Sequence, residues 1–230
     1  MIGMLGGMGP ESTAYTYMRM VRYCQKKFGA KLDSDFPPIL IYSMPVPDVV
    51  EKGRGDSEVL ARLEAGVGKL RDAGAEFSFI ACNTMQGFVP ALRKKADLLS
   101  IVEETVKEAE KTYITNWGIL ATEVTVGKGF YQKAFTKAGI SIVEPDSTTQ
   151  EKVTMAIRDI LTGGKDATAL EKLLDAASSL RKNGAKGILL ACTDIPIVLS
   201  GKVVGLKTLD TADVIAKAAV DRYYSSKKKK

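Results

Sequence analysis

One stretch of this chain occurs twice, and that duplication narrows the folds it can adopt. Leu70-Arg71-Asp72-Ala73-Gly74-Ala75 is followed five residues later by Ala81-Cys82; Leu180-Arg181-Lys182-Asn183-Gly184-Ala185 is followed five residues later by Ala191-Cys192. Upstream of each, Ile2-Gly3-Met4-Leu5 is similar to Trp117-Gly118-Ile119-Leu120. Cys192 lies 110 residues after Cys82, and Trp117 lies 115 after Ile2, so a small indel separates two related halves. One such feature could arise by chance, but two in the same order at nearly one offset point to a duplicated architecture.

Within each half, short apolar runs alternate with segments of helical periodicity. Strands are expected at Ile2–Leu5, Ile39–Ser43, Phe77–Cys82 and Leu98–Val102, and again at Trp117–Leu120, Ser141–Val143 and Gly187–Cys192. Helices are expected over Ser12–Lys27, Ser57–Ala73, Val89–Ala96 and Glu103–Lys111, then Gly127–Ala138, Gln150–Leu161, Ala169–Arg181 and Thr211–Tyr224. The helix after Ser57 carries Val59, Leu60, Leu63, Val67 and Leu70 at helical spacing, and Gly74 reads as its stop. Strands alternating with helices imply βαβ units and largely parallel sheets. The expected fold is α/β, with two pseudo-symmetric Rossmann-like domains and an active site in the cleft between them. Residues 1–112 form the first domain, with a C-terminal helix over 208–230 packing back on it, and 113–207 form the second. A length of 230 residues suits two small domains or one large one.

Composition removes several classes of function. Hydrophobic residues at 45% and charged residues at 26% match a globular protein, not a disordered, collagenous or disulfide-scaffold one. Three cysteines cannot all pair with one another, which points to reduced thiols and a cytoplasmic protein. The N-terminus shows no basic segment leading into an apolar run, and no apolar run reaches membrane-spanning length, so neither a signal peptide nor a membrane partner is expected. Of the net charge of +6, four positive charges sit in Lys227–Lys230, read as a solvated, unstructured end, which leaves +2 for the rest. Acidic and basic residues are interspersed without an aromatic-bearing basic stripe, so no nucleic-acid partner is expected.

The chain contains no histidine. Histidine–serine triads, histidine-bearing zinc sites and histidine-assisted cysteine hydrolases are therefore excluded. Acid–base chemistry must fall to thiol, carboxylate, lysine or tyrosine. No metal is expected, because thiol–imidazole sets and hard carboxylate clusters are both missing from the sequence. Gly6–Gly9 matches neither a Walker motif nor a dinucleotide fingerprint, so no nucleotide is expected either.

Attention then falls on Cys82 and Cys192, each at the end of an expected strand, where open α/β sheets bind ligands. Asn83-Thr84 follows the first and Thr193-Asp194 the second. A helix after each turn would offer free amides and a positive dipole end, which bind carboxylates and lower a thiol pKa. Two thiols facing one cleft suit inversion of a carbon stereocentre: a thiolate removes a proton from one face and a thiol delivers one to the other. The carbon acid of an amino acid is weak, so donors at its carboxylate must stabilise the carbanion; Asn83, Thr84, Thr193 and nearby amides are candidates. Each cysteine alone could be a small buried apolar residue; the duplicated pair, each followed by polar residues, favours function. Cys24, on the first helix without such a partner, is read as structural.

These residues resemble the aspartate/glutamate racemase family, specifically its aspartate racemase branch. Gly6-Gly7-Met8-Gly9-Pro10-Glu11-Ser12-Thr13 resembles that branch's first loop, and Ala81-Cys82-Asn83-Thr84 and Ala191-Cys192-Thr193-Asp194 resemble its two cysteine motifs. The match runs through Leu209-Asp210-Thr211. The resemblance implies a racemase that interconverts L- and D-aspartate without a cofactor, pyridoxal phosphate included, and that works as a homodimer. It implies that Cys82 and Cys192 are the acid/base pair, and that Met8, Asn83, Thr84, Thr122, Thr125, Thr193 and Asp194 line the substrate pocket. Lys165, in Gly163-Gly164-Lys165, corresponds to a family lysine that reads the side-chain carboxylate; a surface loop lysine is the alternative. Two positions depart from the pattern. Gln86 stands where members often carry histidine, and Val49 follows Pro45-Val46-Pro47-Asp48 where arginine is common, with Arg54 the nearest arginine. Competing readings are a glutamate or broad acidic amino-acid racemase, a maleate isomerase- or hydantoin racemase-like enzyme, and a carboxylate-binding α/β protein without catalysis.

Overall fold

In the computed structural model, residues 1–46, 56–163, 167–201 and 203–227 are described. The chain divides into two units, Met1–Glu104 together with the chain from Ala212 onward, and Thr105–Thr211. The first contains β1 (Ile2–Gly6), α1 (Pro10–Tyr23), β2 (Ile39–Ser43), α2 (Asp56–Asp72), β3 (Phe77–Ile80), α3 (Val89–Leu92), β4 (Leu98–Leu99) and the start of α4 (Ile101–Glu110). In the second, β5 (Asn116–Leu120), α5 (Glu123–Lys128), α6 (Phe130–Lys137), β6 (Ser141–Val143), α7 (Ser147–Leu161), α8 (Ala167–Lys182), β7 (Gly187–Leu190), α9 (Ile195–Val198) and β8 (Lys207–Asp210) follow in order. Helix α10 (Thr211–Lys227) returns the chain to the first unit.

Each unit holds a four-stranded parallel sheet, ordered β2-β1-β3-β4 in the first and β6-β5-β7-β8 in the second. Parallel strands buried on both faces read as continuous apolar runs, and β1, β3 and β7 are buried at every residue. In the first unit, Ile2, Met4, Phe77 and Phe79 share one core cluster with Met20 of α1, Cys24, and Ile215, Ala216, Ala219 and Val220 of α10. Leu5, Ile80 and Cys82 face the opposite cluster with Val59, Leu63, Val67 and Leu70 of α2. In the second unit, Leu120, Ile188, Leu190 and Cys192 pack with Val153 and Ile157 of α7 and Leu173, Ala177 and Leu180 of α8. Burying side chains of this size stabilises each sheet by roughly 1.5–3 kcal/mol apiece.

The duplicated sequence now has a physical explanation. Gly74 N donates to Arg71 O (2.8 Å) and Ala75 N to Leu70 O (3.0 Å), while Gly184 N donates to Arg181 O (3.1 Å) and Ala185 N to Leu180 O (3.0 Å). This paired pattern is a Schellman cap, and its left-handed residue is Gly74 (φ 92°) or Gly184 (φ 98°). The alanine after each cap packs on a strand glycine. A Cβ added to Gly3 would lie 3.0 Å from Ala75 Cβ, and one added to Gly118 would lie 3.1 Å from Ala185 Cβ.

Several elements differ from the periodicity reading. Lys207–Asp210 is a strand, so residues 208–210 belong to the second sheet and the closing helix starts at Thr211. Strand β4 is only two residues long because Ile101 and Val102 already belong to α4. The helix expected over Gly127–Ala138 is two helices meeting at left-handed Gly129. Helix α1 stops at Tyr23 and continues as a π-helical turn over Cys24–Phe28. Among the described residues, no helix is long and apolar enough to cross a membrane. Lys227 is the last residue of α10; Lys228–Lys230 lie outside the described residues.

Candidate active site

Both cysteines sit two residues past the end of the third strand of their sheet. Ala81 N donates to Leu5 O (2.9 Å) and Ala191 N to Leu120 O (2.8 Å), so the chain stays in sheet register for one residue beyond β3 and β7. Alternation then turns Cys82 to the α2 face and Cys192 to the α7–α8 face. Cys82 is 5% exposed and Cys192 7%.

In the first unit, a buried glutamine holds this turn. Gln86 Nε2 donates to Cys82 O (3.0 Å) and Ile80 O (3.2 Å), and its Oε1 accepts from Ile101 N (2.9 Å) and Ser100 Oγ (3.4 Å). One side chain thus ties the cysteine loop to the start of α4. The glycine-rich loop between β1 and α1 is held from beneath by Thr13, whose Oγ1 accepts from Gly7 N (2.8 Å) and donates to Gly9 O (2.8 Å). Gly7 has φ +91°, and a Cβ there would lie 2.5 Å from the Met44 backbone. Met8 is half-buried against the cluster that includes Cys82 and Met85. Asn83 and Thr84 are buried directly after Cys82.

The second unit uses different side chains at corresponding places. Thr211 Oγ1 donates to Leu190 O (2.8 Å), the carbonyl equivalent to Ile80 O. Thr122 caps α5 by accepting from Thr125 N (3.2 Å), and the two threonine hydroxyls are 2.9 Å apart. Gln150 Nε2 donates to Ala121 O (3.0 Å), which steadies the chain after β5. Cys192 Sγ donates to Asp194 Oδ2 at 3.6 Å, with Thr193 and Asp194 both buried.

The first unit therefore brings Met8, Cys82, Asn83 and Thr84 to its sheet edge, and the second brings Thr122, Thr125, Cys192, Thr193 and Asp194 to its own. Lys165 and Arg54 lie outside the described residues. A helix does follow each cysteine, but each is short, and the one expected over Val89–Ala96 ends at Leu92. A 3-10 turn over Thr84–Phe88 runs into the single turn of α3, with Pro90 in that turn, and α9 is likewise one turn with Pro196 near its start. Dipoles of such short helices are small, so anion binding here depends on individual donors. Sequence reading treated Gln86 only as a departure from a pattern, and passed over Thr211 and Gln150. A buried amide that satisfies backbone carbonyls leaves no periodic trace. Cys24 packs in the first core beside Tyr224, and burial pushes its thiol pKa up.

A chain of two parallel α/β units with the same strand order, each carrying a buried cysteine just past its third strand, is a duplicated sheet-edge thiol protein. Its descent is plain from comparison: the Asp/Glu/hydantoin racemase family model matches residues 5–219, and the chain belongs to that family of amino-acid racemases, which are isomerases. The broad specificity amino-acid racemase RacX of Bacillus subtilis is 30% identical over 97% of this chain and 98% of its own. Among solved structures, the aspartate racemase of Picrophilus torridus superposes with a TM-score of 0.83 at 24% identity, covering 96% of this chain and 93% of that one. An aspartate racemase homologue from Pyrococcus horikoshii superposes with a TM-score of 0.81 at 23% identity, covering 97% and 98%. At those identities the two structures establish the fold.

Proposed function

We propose that this protein interconverts L- and D-aspartate by two-base proton transfer at Cα without a cofactor, its two units serving as the two domains of each subunit of a cytoplasmic homodimer. The observation that carries the reading is the pair of cysteines at equivalent positions of equivalent sheets, in a chain that has no histidine. In this mechanism a thiolate takes the Cα proton from one face and the opposite thiol gives a proton to the other. The carbanion formed between these steps places charge on the substrate carboxylate, where Asn83, Thr84, Thr122 and Thr193 supply donors. Met8 offers an apolar wall, and Thr125 acts beneath Thr122. Lys165 or Arg54 anchors the side-chain carboxylate. A substrate panel separates this reaction from maleate isomerisation and hydantoin racemisation.

A second reading, a wider amino-acid range, is favoured by the similarity to the B. subtilis racemase that is named for broad specificity. The test is circular dichroism of each L-amino acid incubated with the enzyme. Fastest loss of signal with aspartate supports the first reading, and comparable rates with several neutral amino acids support the second. No loss with any amino acid contradicts both.

A further inference from the structure

We infer that Met8 and Val46 form an apolar side-chain subsite beside Cys82, so that the enzyme also takes unbranched neutral amino acids and gains from each methylene they carry. This rests on the racemase reading above, in its wider-range form. Sheet order β2-β1-β3 brings the loops after β1 and β2 alongside the one that bears Cys82, all at the carboxyl edge where parallel sheets bind ligands. Met8 stands on the first loop and Val46 on the second. Both are half-buried and packed against the cluster that contains Cys82, Met44 and Met85.

These two loops are held to one another. Met44 N donates to Gly6 O (3.0 Å), one residue past the end of β2, and Gly7 lies so close to the Met44 backbone that no Cβ fits there. Met44 is fixed in turn by α2: a Cβ on Gly66 would lie 3.1 Å from Met44 Sδ and 2.8 Å from Leu5 Cδ1. The chain leaves this junction with Met8 one residue beyond Gly7 and Val46 two beyond Met44. Backbone contacts therefore place two apolar side chains at the edge that bears the thiol.

A substrate whose Cα meets Cys82 Sγ sets its substituents against this edge. The carboxylate needs hydrogen-bond donors, and Asn83 and Thr84 follow the cysteine directly. Met8 and Val46 offer no such donor, so their surface suits the substituent without charge. A thioether on three rotatable bonds adjusts to side chains of several lengths. The stretch from Met44 to Val50 holds no lysine or arginine, so it supplies no cation for a side-chain carboxylate. Aspartate depends on Lys165 or Arg54 for that anchor, and a neutral side chain does not. Each methylene taken out of water against such a surface is worth about fourfold in affinity.

The test is kcat/KM for inversion of L-alanine, L-2-aminobutyrate, L-norvaline and L-norleucine, followed by circular dichroism, with dissociation constants for the same series measured by calorimetry. In the wild type both improve about fourfold per methylene as far as norvaline. Met8→Ala and Val46→Thr each flatten the series. Val46→Lys moves the preference from norvaline towards aspartate by about tenfold or more, which loss of packing alone would not do. A flat or falling series in the wild type overturns the inference, even if no variant folds. So does an unchanged series in folded Met8→Ala and Val46→Thr proteins. A protein that inverts no amino acid, yet binds the series with rising affinity, would remove the racemase reading and leave the subsite standing. Inversion of aspartate without binding of the neutral series would do the reverse.

Discussion

The carbonyl at the end of the third strand is held by Gln86 in the first unit and by Thr211 in the second, although the strands, their order and the cysteine that follows are equivalent. The glutamine is local, four residues past its cysteine, and reaches forward to α4; the threonine comes from the next strand–helix junction. The loops after the first strands differ in the same manner. Gly7 is left-handed and pressed against the Met44 backbone, whereas the corresponding Thr122 is an extended N-cap. Backbone geometry at the sheet edge can therefore be reached through unlike polar residues. What the two units share is where the thiol goes, and where they differ is the charge and hydrogen bonding around it.

The largest structural effect should come from the loop that has no slack. Gly7→Ala puts a Cβ into the Met44 backbone at a left-handed residue and should cost about 3–5 kcal/mol in denaturant unfolding. Thr122→Ala, at the equivalent place in the second unit, removes one cap and should cost about 1 kcal/mol. Similar losses at both would show that the loops are not built as differently as their geometry implies. Next in size is the carbonyl clamp. Gln86→Leu strands the Cys82 and Ile80 carbonyls and the Ile101 amide, for about 2–4 kcal/mol, whereas Thr211→Val frees one carbonyl for about 1 kcal/mol. Gln86→Leu should also lower turnover more than Thr211→Val, because its bond is to the cysteine's own carbonyl.

The smallest effect concerns acid. Asp146 accepts from Thr149 N at 2.7 Å and caps α7, and this bond, with that of the Thr149 side chain, holds its carboxyl below the usual range; α1 in the first unit has no side-chain cap. A depressed carboxyl stabilises the fold above its unfolded pKa of about 3.9 and loses that contribution as pH falls through the folded value. Asp146→Asn should therefore slightly lower the melting temperature near neutrality and flatten its fall below pH 4, so that variant and wild type converge in acid. An unchanged acid limb would remove Asp146 as a source of that dependence.

Much of this architecture was legible in the sequence, because fully buried parallel strands and amphipathic helices carry strong periodic signals. Strand β8 was not, since Lys207-Thr208-Leu209-Asp210 buries only Leu209 fully and looks like a loop. The split at Gly129 and the one-turn helix α9 after Cys192 left no signal for a related reason, and α3 was read four residues too long: segments this short have no period to detect. At the site, the positions of Cys82 and Cys192 followed from the duplication. The contact of Asp194 with Cys192 did not, because spacing places a carboxylate two residues away without saying which way it points.

The central claim is that both cysteines move protons at one Cα. Proton NMR of L-aspartate in deuterium oxide tests it most directly, with wild type, Cys82→Ser and Cys192→Ser compared. The account predicts loss of the Cα proton signal as D-aspartate accumulates in the wild type, and a drop of about 10²–10⁴-fold in inversion for each serine variant. Inversion that continues at the wild-type rate in either variant would contradict it.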